Sequence, residues 1–277
     1  MTKVAAIQMV SGANVGANLI NAQMLMGKAK EQGAKLVVLP ENFAFIGQKE
    51  EDTLLMSESK GNGRMQNFLS KQAKELDLWI IGGTIPIKSD DPKKVYSACI
   101  LWNNMGEQVA QYNKLHLFDV YLAGSGEHYN ESATYTPGND LIVVKTPFGN
   151  IGLSICYDLR FPEMYIALRN KGADILCVPS AFTHATGQAH WKALLTARAI
   201  ENQCYIIAPN QGGTHENKRK TYGHSCIIGP WGLQLSAMKT GTGFVIAETD
   251  LVRLEVLREE FPVFDHRQLN FSVNIVR

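Results

Sequence analysis

Cys156 is the residue of this sequence best placed to do chemistry. It stands where the apolar run Ile151-Gly-Leu-Ser-Ile155 gives way to Tyr157-Asp-Leu-Arg160, and the step Phe161-Pro162 then turns the chain ahead of a helical pattern. That spacing predicts a thiol on a strand-to-helix turn, with its sulfur exposed and the neighbouring N–H of Tyr157 aimed at the same spot, as covalent acyl transfer requires. Two more residues share the placement. Glu41 directly follows the apolar run Lys35-Leu-Val-Val-Leu-Pro40, and Lys114 directly follows the segment Glu107–Tyr112. Strands running one way would bring carboxylate, ammonium and thiol to one sheet edge, where α/β folds usually hold ligands.

The chemistry of such a trio is specific. A free thiol, with a pKa near 8.5, is only a few per cent thiolate at neutral pH. Lys114 beside it would favour the thiolate, and Glu41 would take the proton as general base. Attack on an amide carbonyl collects charge on oxygen, which Lys114 and the Tyr157 N–H would stabilise. The amine leaves with the proton held by Glu41, and a water activated by the same carboxylate hydrolyses the thioester. Singly, each residue has a plainer explanation: Glu41 and Lys114 as solvated strand-end charges, Cys156 as a small buried hydrophobe.

Around these residues the sequence alternates helical and apolar-strand patterns. Lys3–Gln8 reads as a strand, and Val15, Leu19, Ala22, Met26 and Ala29 step by three and four along a helix that Gly33 ends. The run 35–40 is a strand covered on both faces. A second helix carries Met65, Phe68, Leu69, Ala73 and Leu76 and leads to a buried strand at Leu78–Ile81; Val95–Trp102 and Glu107–Tyr112 form a hairpin about Asn103-Asn-Met-Gly106. Phe118–Gly138 lacks periodicity and is expected to be a long functional loop. Strands follow at Leu141–Lys145, Asn150–Ile155, Ile175–Val178 and Cys204–Ala208, with helices at Pro162–Asn170 and Gly187–Glu201. The tail adds strands at Gly223–Gly229, Leu233–Ala237 and Phe244–Thr249 and a helix at Leu251–Glu259. Both halves alternate alike, which predicts one α/β domain over residues 1–277, with two sheets face to face and helices outside.

Composition narrows the function. With 277 residues, 45% hydrophobic and 19% charged, the chain can bury a large core, and a net charge of +1 argues against a nucleic-acid or polybasic membrane surface. A small-molecule partner is expected. The start of the chain reads as neither signal peptide nor membrane span, so a cytoplasmic protein is expected. Five widely spaced cysteines without a Cys-x-x-Cys pair suggest reduced thiols. The histidines show no His-x-x-x-His or His-Glu-x-x-His spacing, and Gly82-Gly83 and Gly212-Gly213 open no phosphate loop, so neither metal nor cofactor is expected. A histidine base brought to Cys156 by folding stays open.

Leu-Pro-Glu41-Asn, Tyr-Asn-Lys114-Leu-His-Leu-Phe-Asp and Ile-Cys156-Tyr-Asp-Leu-Arg-Phe-Pro-Glu together resemble the nitrilase superfamily of carbon–nitrogen hydrolases, in that family's order of Glu, Lys and Cys and over nearly the whole chain. The resemblance implies a four-layer α-β-β-α sandwich that dimerises into an eight-layer unit through helices near the nucleophile, and a Glu-Lys-Cys mechanism. It also implies a second positioning glutamate, matched by Glu131 in Tyr-Asn-Glu-Ser, with Glu127 a rival. Cys156 to Glu163, Pro-Ser-Ala-Phe182-Thr183, Thr-Gly-Gln-Ala-His-Trp191 and the segment from Gly212 to Ser225 are most similar to the amidase branch acting on deaminated glutathione. Its sister branch is an ω-amidase acting on α-ketoglutaramate; a non-catalytic binding protein on the same fold is the alternative of another class. An elongated anionic substrate calls for further cations, with Arg160 or the loop residues Lys218, Arg219 and Lys220 available. Phe182 and Tyr157 are candidate pocket walls, with Thr183 beside them.

Overall fold

Strand β1 (Thr2–Gln8) explains the layering, because its two faces are both apolar and bury against different partners. The structure, a computed structural model, describes residues 1–49, 51–122 and 126–268. Helix α1 (Val15–Glu31) follows, its first turn capped by the Asn14 side chain accepting the Ala17 N–H. Gly33, at φ +92°, ends it. Then come β2 (Leu36–Val38), the short α2 (Asp52–Leu55), α3 (Arg64–Glu75), β3 (Trp79–Ile81), β4 (Ile85–Lys88), β5 (Val95–Trp102) and β6 (Gln108–Asn113). β1, β2 and β3 are parallel neighbours; β5 runs antiparallel to β3, β4 and β6, so β6 points the same way as β2. β4 escapes a sequence reading because Pro86 interrupts its pattern; it pairs at the end of the sheet, where proline is tolerated.

The second sheet is built from β9 (Val143–Thr146), β10 (Gly149–Leu153), β11 (Ile175–Cys177), β12 (Tyr205–Ala208), β13 (Cys226–Ile228) and β14 (Gln234–Ala237), in sequence order across the sheet. Between its strands lie α4 (Pro162–Asn170), the single turn α5 (His184–Thr186) and α6 (Lys192–Asn202). β15 (Gly243–Thr249) returns to the first sheet, antiparallel to β1, and α7 (Leu251–Glu260) follows.

Period-two alternation sorts the first sheet's side chains between two cores. Ala5, Ile7, Val37, Leu39, Ile80 and Ile100 face α1 and α3, whereas Val4, Ala6, Leu36, Val38, Ile81 and Leu101 face the second sheet. α4 and α6 cover that sheet's far side through Tyr165, Leu168, Leu195 and Ala199. The outcome is the four-layer α-β-β-α sandwich. Each buried Ile or Leu adds roughly 1.5–3 kcal/mol of burial, and a one-residue slip of β1 or β2 would exchange side chains between the two cores and mispack both.

Two expectations need correction. Much of the 118–138 segment is ordered as a two-stranded ribbon, β7 (Asp119–Leu122) with β8 (Glu127–Asn130), closed by a 3₁₀ turn at Glu131–Ala133; positions 123–125 lie outside the described residues. The ribbon pairs with neither main sheet, so it lacks the buried apolar face that makes a strand legible. The helix expected at Gly187–Glu201 opens as a π turn, Gly187–Trp191, before α6. A Cβ at Gly187 would collide with the Tyr222 side chain.

Candidate active site

Glu41 and Lys114 are delivered by β2 and β6, and Cys156 by β10 of the other sheet, so the three meet in the seam between sheets rather than on one edge. After β2 the chain reaches Glu41 through Pro40, and Gly83 at φ +57° passes so close beneath that a Cβ would strike the Pro40 carbonyl. Lys114 leaves β6 with its N–H still bonded to Ser97 O at 3.0 Å. Cys156 has φ +46°, a left-handed conformation costly for a residue with a side chain, and its N–H donates to Pro179 O at 2.9 Å. Such strain at a strand-to-helix turn is what projecting a nucleophile demands.

Lys114 Nζ lies 2.9 Å from Glu41 Oε1 and 2.8 and 2.9 Å from the two Glu131 oxygens. All three side chains are buried: Lys114 is 2%, Glu41 4% and Glu131 7% exposed. The remaining oxygens are also engaged. Glu41 Oε2 accepts the Ala181 N–H at 2.8 Å, and Glu131 Oε2 accepts the Phe118 N–H at 2.6 Å. The Cys156 thiol lies within electrostatic reach of both the Glu41 carboxylate and the Lys114 ammonium. Four of the five free cysteines are buried; Cys156 alone is partly exposed.

These contacts set the charges. Burial pushes the Glu41 carboxyl up, but the Lys114 ammonium and its hydrogen bond outweigh it and hold the carboxyl below its usual range. Glu131 lies above that range: burial raises it, and the nearby Glu41 adds to the rise against the pull of Lys114. Burial pulls Lys114 down, yet the two carboxylates more than compensate and raise it well above an ordinary lysine. For Cys156, burial and then the Glu41 charge push the thiol up despite Lys114. This corrects the expectation that Lys114 favours a resting thiolate. The balance favours a neutral thiol beside an ionised base.

A cavity of about 350 Å³ opens on the cluster and is lined by Glu41, Lys114, Glu131 and Cys156. Tyr157, Arg160, Phe182, Thr183 and Arg219 line it as well; Lys220 and Glu127 do not. Arg160 lies over the Tyr157 and Phe182 rings, with its Nη1 3.2 Å from His190 Nδ1. Arg219 Nη2 donates to Ala181 O at 2.9 Å, and its guanidinium lies over Tyr129. Lys220 is exposed: the chain turns at 215–218, where the Lys218 N–H donates to His215 O at 2.8 Å and Lys218 has φ +66°, and this leaves Asn217 and Arg219 lining the cavity with Lys218 and Lys220 exposed. Sequence reasoning missed Asn217 and Tyr129, and missed Ala181, whose N–H is backbone and has no sequence signal. Among the described residues no group of His, Cys, Asp or Glu side chains is arranged to hold a metal ion.

Comparison with known proteins agrees with this architecture. The carbon–nitrogen hydrolase family model matches residues 3–259. The deaminated glutathione amidase of Synechocystis sp. (strain PCC 6803 / GT-S) is 44% identical over 266 residues, spanning 95% of this chain and 97% of its own. The Homo sapiens deaminated glutathione amidase is 41% identical over 276 residues, spanning 98% and 84%. Among solved structures, the C. elegans NitFhit protein superposes with a TM-score of 0.89 at 38% identity over 96% of this chain, which spans 65% of that longer protein. Saccharomyces cerevisiae Nit3, a member of branch 10 of the nitrilase superfamily, superposes with a TM-score of 0.87 at 31% identity, covering 98% and 97%. With family model, full-length relatives and fold in agreement, the chain belongs to the carbon–nitrogen hydrolase family.

Proposed function

We propose that this carbon–nitrogen hydrolase, acting as one catalytic domain without a cofactor, cleaves the amide bond of deaminated glutathione through a thioester on Cys156. The observation that carries the chemistry is the buried Lys114 ammonium shared by the Glu41 and Glu131 carboxylates in the cavity that Cys156 also lines. Glu41 accepts the S–H proton as Cys156 Sγ attacks the carbonyl carbon. Lys114 and the Tyr157 N–H receive the charge on the carbonyl oxygen. The C–N bond breaks as Glu41 passes its proton to the departing nitrogen. A water then gives a proton to Glu41 and its oxygen to the acyl carbon, and Cys156 leaves as a thiol. Glu131 keeps Lys114 charged and in place.

The substrate assignment is supported by the named relatives and by a cavity that offers an elongated anion the cations Arg160 and Arg219. We assign the protein to the cytoplasm, a reading supported by its five free thiols; among the described residues no helix is long and apolar enough to cross a membrane. A homodimer is supported by exposed apolar side chains beside α6: Ile200, Trp231, Leu233 and Phe261, with Trp231 edge-on to Phe261 at 5.5 Å. Light scattering tests that state.

The decisive experiment incubates the protein with deaminated glutathione and, separately, with α-ketoglutaramate, following amide hydrolysis and the mass of the Cys156 peptide. An acyl adduct on Cys156 and preferential turnover of deaminated glutathione are expected, with Cys156→Ser inactive. Preference for α-ketoglutaramate would move the protein to the ω-amidase reading, and no hydrolysis of either would favour a binding protein.

A further inference from the structure

Asp158 is wholly buried and does not line the cavity, so its carboxylate takes no part in the proposed bond-making. Its surroundings are unusual for a residue two positions past a nucleophile. Oδ2 accepts the Ile155 N–H at 2.8 Å and the Tyr112 hydroxyl at 2.7 Å. Oδ1 accepts the His116 N–H at 3.1 Å and lies 2.7 Å from His116 Nδ1. The Tyr112 hydroxyl in turn accepts the Leu115 N–H at 3.1 Å. The His116 ring lies flat on Phe161, at 3.7 Å between centroids, on the far end of the same turn.

The pattern has a geometric meaning. Tyr112, Leu115 and His116 bracket Lys114 on the first sheet, while Ile155 and Asp158 bracket Cys156 on the second. Asp158 N–H also donates to Ile155 O at 3.0 Å, so backbone and side chain together close the turn that holds Cys156 in its left-handed conformation. We propose that Asp158 is a positioning residue that fixes the Cys156 turn against the chain on both sides of Lys114, setting thiol and ammonium at their reacting distance across the seam. A carboxylate suits the task because its two oxygens, each accepting from a different segment, have only acceptors to offer. An asparagine in its place would turn an NH₂ toward either the Ile155 or the His116 N–H, leaving two donors face to face.

This inference rests on the amidase reading above, and its test separates the two. Acylation is measured as kcat/KM per alkylatable Cys156 for the amide and for the p-nitrophenyl ester of the same acyl group, in wild type, Asp158→Asn and Tyr112→Phe. Both substrates need Glu41 to take the thiol proton and Lys114 to receive the oxyanion charge, but only the amide also needs the Glu41 proton for its leaving nitrogen, so misplacing the thiol should slow both and cost the amide more. A displacement near 1 Å is worth about 10²-fold, so Asp158→Asn should lose about a hundredfold on the amide and about tenfold on the ester, and Tyr112→Phe about tenfold and about threefold. Parallel losses on both substrates, or amide rates within about threefold of wild type, overturn the proposal. If Asp158→Asn does not fold, Tyr112→Phe, which removes one hydroxyl, decides alone. A wild-type protein inactive on the amide would instead refute the amidase reading.

Discussion

Replacing Lys114 by methionine keeps the length of the side chain and removes the one cation shared by Glu41 and Glu131. Lys114 is 2% exposed and makes three contacts of 2.8–2.9 Å, so water cannot take over its role. Two consequences can be sized. Loss of the oxyanion donor should lower kcat about 10²–10³-fold, equivalent to about 3–4 kcal/mol of barrier. Leaving buried carboxylates without their partner should cost about 3–5 kcal/mol at pH 8, a fall in Tm on the order of 10 °C for a domain this size. The stability loss carries a pH signature. Without the ammonium, burial and mutual repulsion raise both carboxylates above their unfolded pKa of about 4.3, so each binds its proton more tightly in the folded state. That contribution is full below the unfolded value and is lost as pH rises through the folded value. Lys114→Met should therefore destabilise steeply between pH 5 and 8, whereas in wild type the lowered Glu41 and raised Glu131 oppose each other. Steady-state kinetics and thermal melts across that range are the assay. A variant with wild-type kcat, or with a Tm deficit that does not change with pH, would refute the charge assignment.

Glu41, as the base, acts when deprotonated, and its carboxyl is held low; kcat/KM should therefore rise with pH through a limb below the ordinary glutamate range, and a limb near 6.5 would point to a histidine base instead. Arg219→Ala should raise KM for deaminated glutathione about tenfold while leaving a short neutral amide unaffected, and Lys220→Ala should change neither; equal effects on both amides would remove Arg219 from substrate recognition. Gly83→Ala should displace the Pro40 carbonyl and with it Glu41, lowering kcat by at least about tenfold at nearly unchanged KM; unchanged kinetics in a folded variant would show that Gly83 serves only the turn.

The parts of this site that could be read from sequence are those whose position follows from period and punctuation. Glu41 and Cys156 each follow an apolar run, whose end is legible because the hydrophobic residues stop there, whereas Lys114 follows the mixed strand Gln108–Asn113, legible through its hairpin turn at Asn103–Gly106. Glu131 was legible only by resemblance, since the ribbon that delivers it has no buried face, and it was the contact with Lys114 that separated it from Glu127. The Ala181 N–H, bonded to Glu41 Oε2, was not legible, because every residue but proline has such a group and only folding aims it. Arg219 and Lys220 are adjacent cations that the sequence does not separate, because the tight turn at 215–218 decides which of them lines the cavity.

The charge of the sulfur is the part that composition leaves undetermined, and it follows from where the seam puts each group. A lysine next to a cysteine lowers the thiol's pKa when the pair stands alone. Here the same ammonium is already spent between two carboxylates, and a thiolate would add a third negative charge to a buried cluster with one cation. The cluster therefore favours keeping the proton on sulfur until a carbonyl accepts the electron pair, at which point the negative charge moves to an oxygen that Lys114 can reach while Glu41 is neutralised by the proton it gains. Net charge within the cluster is then the same before and after attack. A half-buried thiol held neutral in this way is also a poor target for oxidants, which act on the thiolate, so one arrangement both couples proton transfer to acylation and protects the nucleophile between turnovers.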